Sequence, residues 1–594
     1  MAINKKETIL NLLFNLWGHI QAKRKIQLIF LIFLMLGVSL AEIISIGAVL
    51  PFLGALTSPE KVFNLDMLNP IFLKMGFITP NELLLPMTIF FISAVLLAGS
   101  MRLILLWTQT HFAYAIGADL SICVYRYALY LPYIEQVTKN SSEFIASISH
   151  KTHLVVTQVL MPALLIFSAT IILLAIFTTV LLIEPIAALI IIFGFGGIYS
   201  FVLFVTKKKL FKDSESINIK SNLLIKSLQE GFGGIRDVLI DGTQEIYCKI
   251  FRNYDLPLRK AQAGIAIIGQ TPRFIVEALG ITILAILAFS LSNNLNHLTN
   301  AIPILGVFAL AAQRLLPILQ QIYSSWSSIF GCSALLRDIL YYLNQGLPDY
   351  LNSNKIKPIK FQYKIKFEGI NFSYNEQGPL IIKDFNYEIK KGSKIGIIGA
   401  TGSGKSTLID IIMGLLTPKE GNFYVDDKKI TNDNYRSWQT HIAHVPQNIF
   451  LADTTVLENI AFGVPEDEID YELVYQCAKK AKIADSINSW RNRYETVVGE
   501  RGIRLSGGQR QRIGIARALY KKTDVIIFDE ATSALDNETE SAVMKEIISL
   551  DNDITILIIA HRLSTLKNCS QLIEIADGKV KRSGSYKDII SNNA

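Results

Sequence analysis

Residues 26–56 read IQLIFLIFLMLGVSLAEIISIGAVLPFLGAL, an apolar run longer than the core helix of a water-soluble domain needs. About 20 such residues in a helix cross the hydrocarbon layer of a bilayer. Five further runs resemble it, at 86–117, 152–183, 185–206, 265–291 and 299–330. In lipid, backbone N–H and C=O groups must be satisfied within the segment, which selects helices. The spacing predicts an α-helical transmembrane domain of six helices over 1–345. Several runs exceed the spanning length, so the helices are expected to continue into the cytoplasm.

Only 18% of the chain is charged, against about 25% in soluble domains, and the deficit lies before about residue 340. The formal charge of +8, from 58 basic and 50 acidic residues, is compatible with nucleic-acid binding. Much of the basic excess instead flanks apolar runs, as membrane orientation requires, so no nucleic-acid partner is expected. Lys207, Lys208, Lys209, Lys212, Lys220, Lys226, Arg236, Lys249, Arg252, Arg259 and Lys260 lie between the fourth and fifth runs, whereas SNNLNHLTN after the fifth has no Lys or Arg. The positive-inside rule then puts both termini and 207–264 in the cytoplasm. The loop 57–85 is external, and within it 67–77 reads equally as a helix lying on the membrane or as a packed loop. No cleavable signal peptide is expected, because the first run is too long for one. Cys123, Cys248, Cys332, Cys477 and Cys569 form no metal-binding spacing and are expected to be reduced.

A Pro- and Asn-bearing linker, 346–359, leads to 360–594, where short β-rich runs alternate with helices. That alternation predicts an α/β domain on a parallel sheet. Within it GIIGATGSGKST contains a phosphate-binding loop: Gly399, Ala400, Thr401, Gly402, Ser403, Gly404, Lys405, Ser406 and Thr407. The apolar strand KIGII precedes it and an apolar helix follows, the context that separates this motif from a chance glycine-rich turn. Its backbone N–H groups would close round phosphate oxygens, Lys405 would neutralise them, and Ser406 would offer a hydroxyl to Mg2+. Asp529 and Glu530 end the apolar run DVIIF. There one acid holds a metal's water shell and its neighbour polarises an attacking water, unless the pair merely caps the strand.

Ser506, Gly507, Gly508 and Gln509 in RLSGGQRQR resemble the signature sequence of ATP-binding cassette proteins. Tyr374 in FSY, Gln447 in VPQN, SALD at 533–536 and His561 in IAHR follow the same family's order, and TVVGERG resembles a segment of its exporters. The resemblance implies a P-loop ATPase domain of the ATP-binding cassette type and a head-to-tail homodimer. Each ATP would lie between one chain's 399–407 loop and the other's 506–509 segment. Tyr374 would stack on adenine, and Asp536 would belong to the nucleotide site. Glu530 would be the catalytic base, His561 would contact the γ-phosphate, and Gln447 would sense nucleotide. Ser406, Gln447 and Asp529 would hold Mg2+. Six spans before one cassette are similar to exporter half-transporters, with 131–148 and 227–245 as coupling segments.

Arg102 lies about 16 residues into the second run and Arg314 about 15 into the sixth, roughly 22–24 Å deep at 1.5 Å per residue. Arg273 near the start of the fifth run reaches a similar level. Arg314, Gln321, Ser325 and Ser328 follow steps of one helix face, which predicts a polar stripe lining a cavity. The alternatives are internal pairing, as of Arg273 with Glu277, or snorkelling to headgroups. Guanidinium groups suit phosphate. SLAEIISIGAVLPFLGAL, NSSEFIASI, GFGGIRDVLIDG and LAAQRLLP resemble bacterial flippases of lipid-linked oligosaccharides from protein glycosylation. That implies ATP-driven movement of a polyprenyl-diphosphate-linked glycan in the bacterial cytoplasmic (inner) membrane, with membrane lipid and the glycan lipid as partners. An exporter of a drug, peptide, glycolipid or lipid A-like lipid is the alternative, and a non-transporting ATPase a remote one.

Overall fold

The computed structural model describes residues 8–57, 59–63, 79–138, 140–183, 185–292, 298–345, 356–375, 378–532, 534–550, 552–560 and 562–590. The candidate surface helix 67–77, most of the linker and His561 lie outside the described residues. The chain divides into two compact units. The first joins Met1–Leu131 to Lys139–Leu347, and the second joins Pro132–Thr138 to Pro348–Ala594.

The first unit is helical throughout its described residues. Helix α1 (Ile9–Gly18) buries Leu12 and Leu16 and starts at Thr8, whose hydroxyl accepts from the backbone of Asn11. Then come α2 (Ala22–Gly47) and α3 (Leu84–Tyr130), and, after a short α4 (Tyr133–Thr138) that belongs to the second unit, a helix restarts at Ser141. Asn140 caps that restart by accepting from Ser142 N. Two π-helical turns, Ala146–Lys151 and Val156–Leu160, interrupt the helix before it continues as α5 (Met161–Ile183). Helix α6 (Pro185–Gly233) is followed by the short α7 (Ile235–Ile240), then by α8 (Gln244–Ser292), α9 (Leu298–Gly331) and α10 (Ser333–Leu343).

At 47 residues for α3 and 49 each for α6 and α8, these helices run about 70 Å, more than twice the thickness of a hydrocarbon layer. Among the described residues, Ala22–Leu56, Leu84–Tyr130 and Ser141–Thr179 are long and apolar enough to cross a membrane. The runs 185–206, 265–291 and 299–330 fall on α6, α8 and α9. Lys151 is fully buried and pairs with Asp338 of α10 at 2.7 Å.

In the second unit two sheets form. One has the order β10-β9-β3-β8-β7-β6, built from β3 (Lys394–Ile398), β6 (Ile442–Val445), β7 (Val525–Asp529), β8 (Thr555–Ile559), β9 (Gln571–Ala576) and β10 (Lys579–Gly584). Strands β6, β7, β8, β3 and β9 run parallel, and β10 turns back antiparallel. Every residue of β8 is buried, as expected of a strand covered on both faces. The other sheet departs from the expected parallel arrangement. Strands β1 (Lys364–Phe372), β2 (Ile382–Lys390), β4 (Glu420–Val425) and β5 (Lys428–Lys429) are antiparallel in the order β2-β1-β4-β5. The alternating burial along β1 is the pattern of a sheet with one face on the core. Helix α11 (Lys405–Ile412) contributes Leu408, Ile409, Ile411 and Ile412 to that core, together with Trp438, whose indole N–H donates to Ile412 O at 2.7 Å.

Candidate functional site: a phosphate loop and a pair of arginines

The register brings the nucleotide motifs to one edge of the parallel sheet. Ile397 of β3 and Asp529 of β7 both pair with Ile559 of the strand between them. The loop leaving β3 and the acids ending β7 therefore stand at the same carboxyl end, where open α/β sheets bind ligands. Gly404 caps α11 with φ 100°, and a Cβ there would lie 2.9 Å from Ile382 Cδ1. Glycine is required on both counts. Lys405 Nζ donates to Gly399 O at 2.8 Å and Ala400 O at 2.9 Å, which fixes the curve of the loop. Ser406 is exposed at the second position of α11, while Ser403, Lys405 and Thr407 are buried.

Gln447 Nε2 donates to Glu530 Oε2 at 2.7 Å. The two residues, 83 apart in sequence, thus form one polar unit beside Asp529. A hydroxyl (Ser406), a carboxylate (Asp529) and an amide oxygen (Gln447) would together offer an all-oxygen donor set, the kind that suits Mg2+. Tyr374 OH lies 3.3 Å from Thr407 Oγ1, so its ring is next to the loop. Ser506 caps α12 (Gly507–Tyr520): its hydroxyl accepts from Gln509 N at 3.2 Å, and Gln509 Oε1 accepts from Ser506 N at 2.9 Å. Asp536 caps α13 (Asn537–Ile548) by accepting from Thr539 N at 2.9 Å. A Cβ on Gly508 would lie 3.2 Å from Ala534 O, so the signature helix packs closely on the turn before Asp536.

Two residues here were not anticipated. Burial pushes the Asp410 carboxyl of α11 up to about 6, with the charge of Asp529 adding to the effect. Tyr133 of α4 is shifted up by burial and by nearby Asp410 and Tyr374, and it packs with Ile134 against the core around α11. The signal for Asp410 was one acid in the otherwise apolar TLIDIIMGLL. For Tyr133 the sequence carries no signal beyond its place in a coupling segment.

In the first unit the four expected cavity residues separate into two places. Arg273 and Gln321 line a cavity of about 450 Å³ with Tyr199, Glu277, Gln313 and Gln320. Arg273 pairs with Glu277 at 3.8 Å, the internal pairing described above as one alternative. Tyr199 donates to Gln320 Oε1 at 3.2 Å, and Gln320 Nε2 donates to Gly269 O at 2.8 Å. Arg102 and Arg314 instead converge on Glu42 of α2, a side chain with 0% exposure.

Of the stripe Arg314, Gln321, Ser325, Ser328, Gln321 lines this cavity and the other three do not. Ser325 is buried, and Ser328 donates to Gln158 O at 3.0 Å. Gln313, Leu316, Pro317, Gln320, Gln321 and Ser324 face the cavity. The helical steps were sound, but adjacent faces of α9 meet different neighbours. Glu42 went unremarked although a carboxylate inside an apolar run is itself a signal.

Residues 382–533 match the family model described as ABC transporter. The leukotoxin translocation ATP-binding protein LktB of a Pasteurella haemolytica-like species is 39% identical over 253 residues, 42% of this chain and 36% of that protein. The ATP-dependent lipid A-core flippase of Chromohalobacter salexigens is 35% identical over 246 residues, 41% of this chain and 42% of that protein. The alignments thus span about two fifths of these relatives' lengths. A solved structure of a bacterial Atm1-family ABC exporter with ATP bound superposes with a TM-score of 0.77 at 21% identity, covering 95% of this chain and 97% of that one. The chain therefore has the fold of an ABC exporter, a helical transmembrane domain joined to a P-loop nucleotide-binding domain of the ATP-binding cassette type.

Proposed function

We propose that the protein is an ATP-driven exporter. As a homodimer in the cytoplasmic (inner) membrane, it flips a polyprenyl-diphosphate-linked oligosaccharide between leaflets. The 399–407 loop and Lys405 bind the triphosphate, Ser406, Gln447 and Asp529 would hold Mg2+, and Glu530, oriented by Gln447, takes the proton of the attacking water. Bound there, Mg2+ would supply neutralisation of phosphate charge. The signature segment 506–509 of the second copy and His561 complete the site.

The observation that carries the substrate reading is the convergence of Arg102 and Arg314, from α3 and α9, on one buried carboxylate. Two guanidiniums against one acid leave positive charge among transmembrane helices, which suits a phosphate-bearing lipid. The named lipid A-core flippase among the relatives supports a lipid cargo, and the toxin translocator supports the alternative of another amphipathic substrate.

The test is flipping of a fluorescent lipid-linked glycan in proteoliposomes. Wild type should flip in an ATP-dependent way, and Arg314→Ala should lose most of that rate. Undiminished flipping by the variant removes the arginine argument. Stimulation of ATP turnover by drugs or peptides alone would favour the alternative cargo.

A further inference from the structure

Glu42 lies on the buried face of α2 with Met35, Val38, Ser39, Ala41, Ser45 and Ile46. Arg102 reaches it through Nε, and Nη1 of Arg314 lies 3.0 Å from Oε2 and 3.3 Å from Oε1. A carboxylate is costly in such surroundings unless paired, and a single arginine would neutralise it. The second arginine leaves the cluster one positive charge in excess. That excess is accessible, since the side chains of Arg102 and Arg314 keep 38% and 25% of their exposure while Glu42 keeps none. A guanidinium carries five N–H donors, and the contacts with Glu42 use only part of each set.

We propose that Glu42 is the positioning and specificity-determining residue of an anion site on α2, α3 and α9. It gathers Arg102 and Arg314 and trims their combined charge to +1, and the site takes the phosphate-class headgroup of a lipid. Without Glu42 the two arginines would repel one another and hold an anion too tightly to release it. With Glu42 each copy offers one net positive charge, so the two copies of a homodimer match the two negative charges of a diphosphate diester. This rests on the exporter reading above for the identity of the lipid, but the charge logic does not depend on movement across the membrane.

The test is a charge ladder on the full chain in phosphatidylcholine nanodiscs, with binding read by native mass spectrometry. The probes are undecaprenol, undecaprenyl phosphate and a glycosylated undecaprenyl diphosphate, which is the diphosphate diester. Inorganic pyrophosphate, added with a saturating non-hydrolysable nucleotide, separates a lipid headgroup from a free anion. Wild type, at +1, should prefer the diphosphate lipid to the alcohol by about tenfold. Arg102→Gln, at zero, should lose about tenfold for the diphosphate lipid, and Glu42→Gln, at +2, should gain about tenfold, with the alcohol unchanged in both.

If Glu42→Gln fails to fold, the double variant Glu42→Gln/Arg102→Gln restores +1. It should bind within about threefold of wild type, which a purely structural role for Glu42 would not produce. Affinities that ignore the ladder, an alcohol that shifts with the phosphates, or binding of pyrophosphate without the lipid overturn the proposal. A ladder that holds without flipping overturns the transport reading alone. Flipping that persists without a ladder overturns the role of Glu42 alone.

Discussion

Glu530 has a φ of 50°, in the left-handed region that costs a non-glycine residue about 1–2 kcal/mol. Its backbone N–H donates to Ile559 O at 3.0 Å, and its carboxylate accepts from Gln447 at 2.7 Å. The left-handed turn follows directly on the strand end, while Asp529 remains in register within β7. Glu530→Gln keeps the shape and removes the basicity. Hydrolysis should fall at least about 100-fold while nucleotide binding persists, read by phosphate release against a nucleotide-binding titration. Retained turnover would take Glu530 out of the role of base.

His444 on β6 is a second residue with a measurable signature. It lines a cavity of about 440 Å³ with Arg436 and Lys521, and burial pulls its pKa down to about 4 from 6.5. Between those values the unfolded chain binds the proton and the folded chain does not, so stability falls as pH drops from 6.5 towards 4. By pH 5 this group alone removes about 2 kcal/mol. His444→Gln should flatten the loss of Tm between pH 6.5 and 5 by a few degrees in detergent solution. A variant curve parallel to wild type would assign the titration to other groups.

At the scale of elements, the interrupted helix after Ser141 depends on an interaction that its own residues do not reveal. Lys151 ends the first π-helical turn, is fully buried, and reaches Asp338 on α10, 187 residues along the chain. Removing one partner of a buried pair leaves an uncompensated charge. Asp338→Asn should therefore lower stability by about 3–5 kcal/mol, seen as a drop in Tm of the full chain. Lys151→Met combined with Asp338→Leu should recover most of the loss, and an unaltered Tm in the single variant would mean that water solvates Lys151.

The same contrast explains what could be read in advance. The phosphate loop, the acids at the end of β7 and the capped signature helix are each built from consecutive residues, so strand, loop and helix are legible locally. Glu42 and Arg314 are 272 residues apart, and no periodicity within α2 or α9 says that the two helices meet there. The face of α9 was likewise assigned by its steps alone, which give which residues align but not which neighbour they meet. The antiparallel sheet escaped although β1 and β2 are nine residues each, because an alternation of strands with helices along the chain points to a parallel sheet and says nothing of a second sheet.

For the whole molecule, the decisive question is whether a nucleotide site belongs to one chain or to two. The signature segment 506–509 caps α12 with its own side chains and leaves the Gly507 and Gly508 backbone at the helix start, where N–H groups can receive a phosphate from another molecule. A head-to-tail homodimer would pair the 399–407 loop of each chain with the 506–509 segment of the other. Lys405→Ala disables the first component and Gly508→Asp, which adds bulk and negative charge beside Ala534, disables the second. Either homodimer then has no intact site. Co-assembled chains behave differently: the heterodimer pairs one intact loop with one intact signature and concentrates both lesions in the other site. In an equal mixture about half the dimers are mixed, so about a quarter of the possible sites are whole. ATP turnover of the co-purified mixture should rise from near zero to a clear fraction of wild type, and that of the separate variants should not. If each site were complete within one chain, mixing would restore nothing, because every chain would still carry its own lesion.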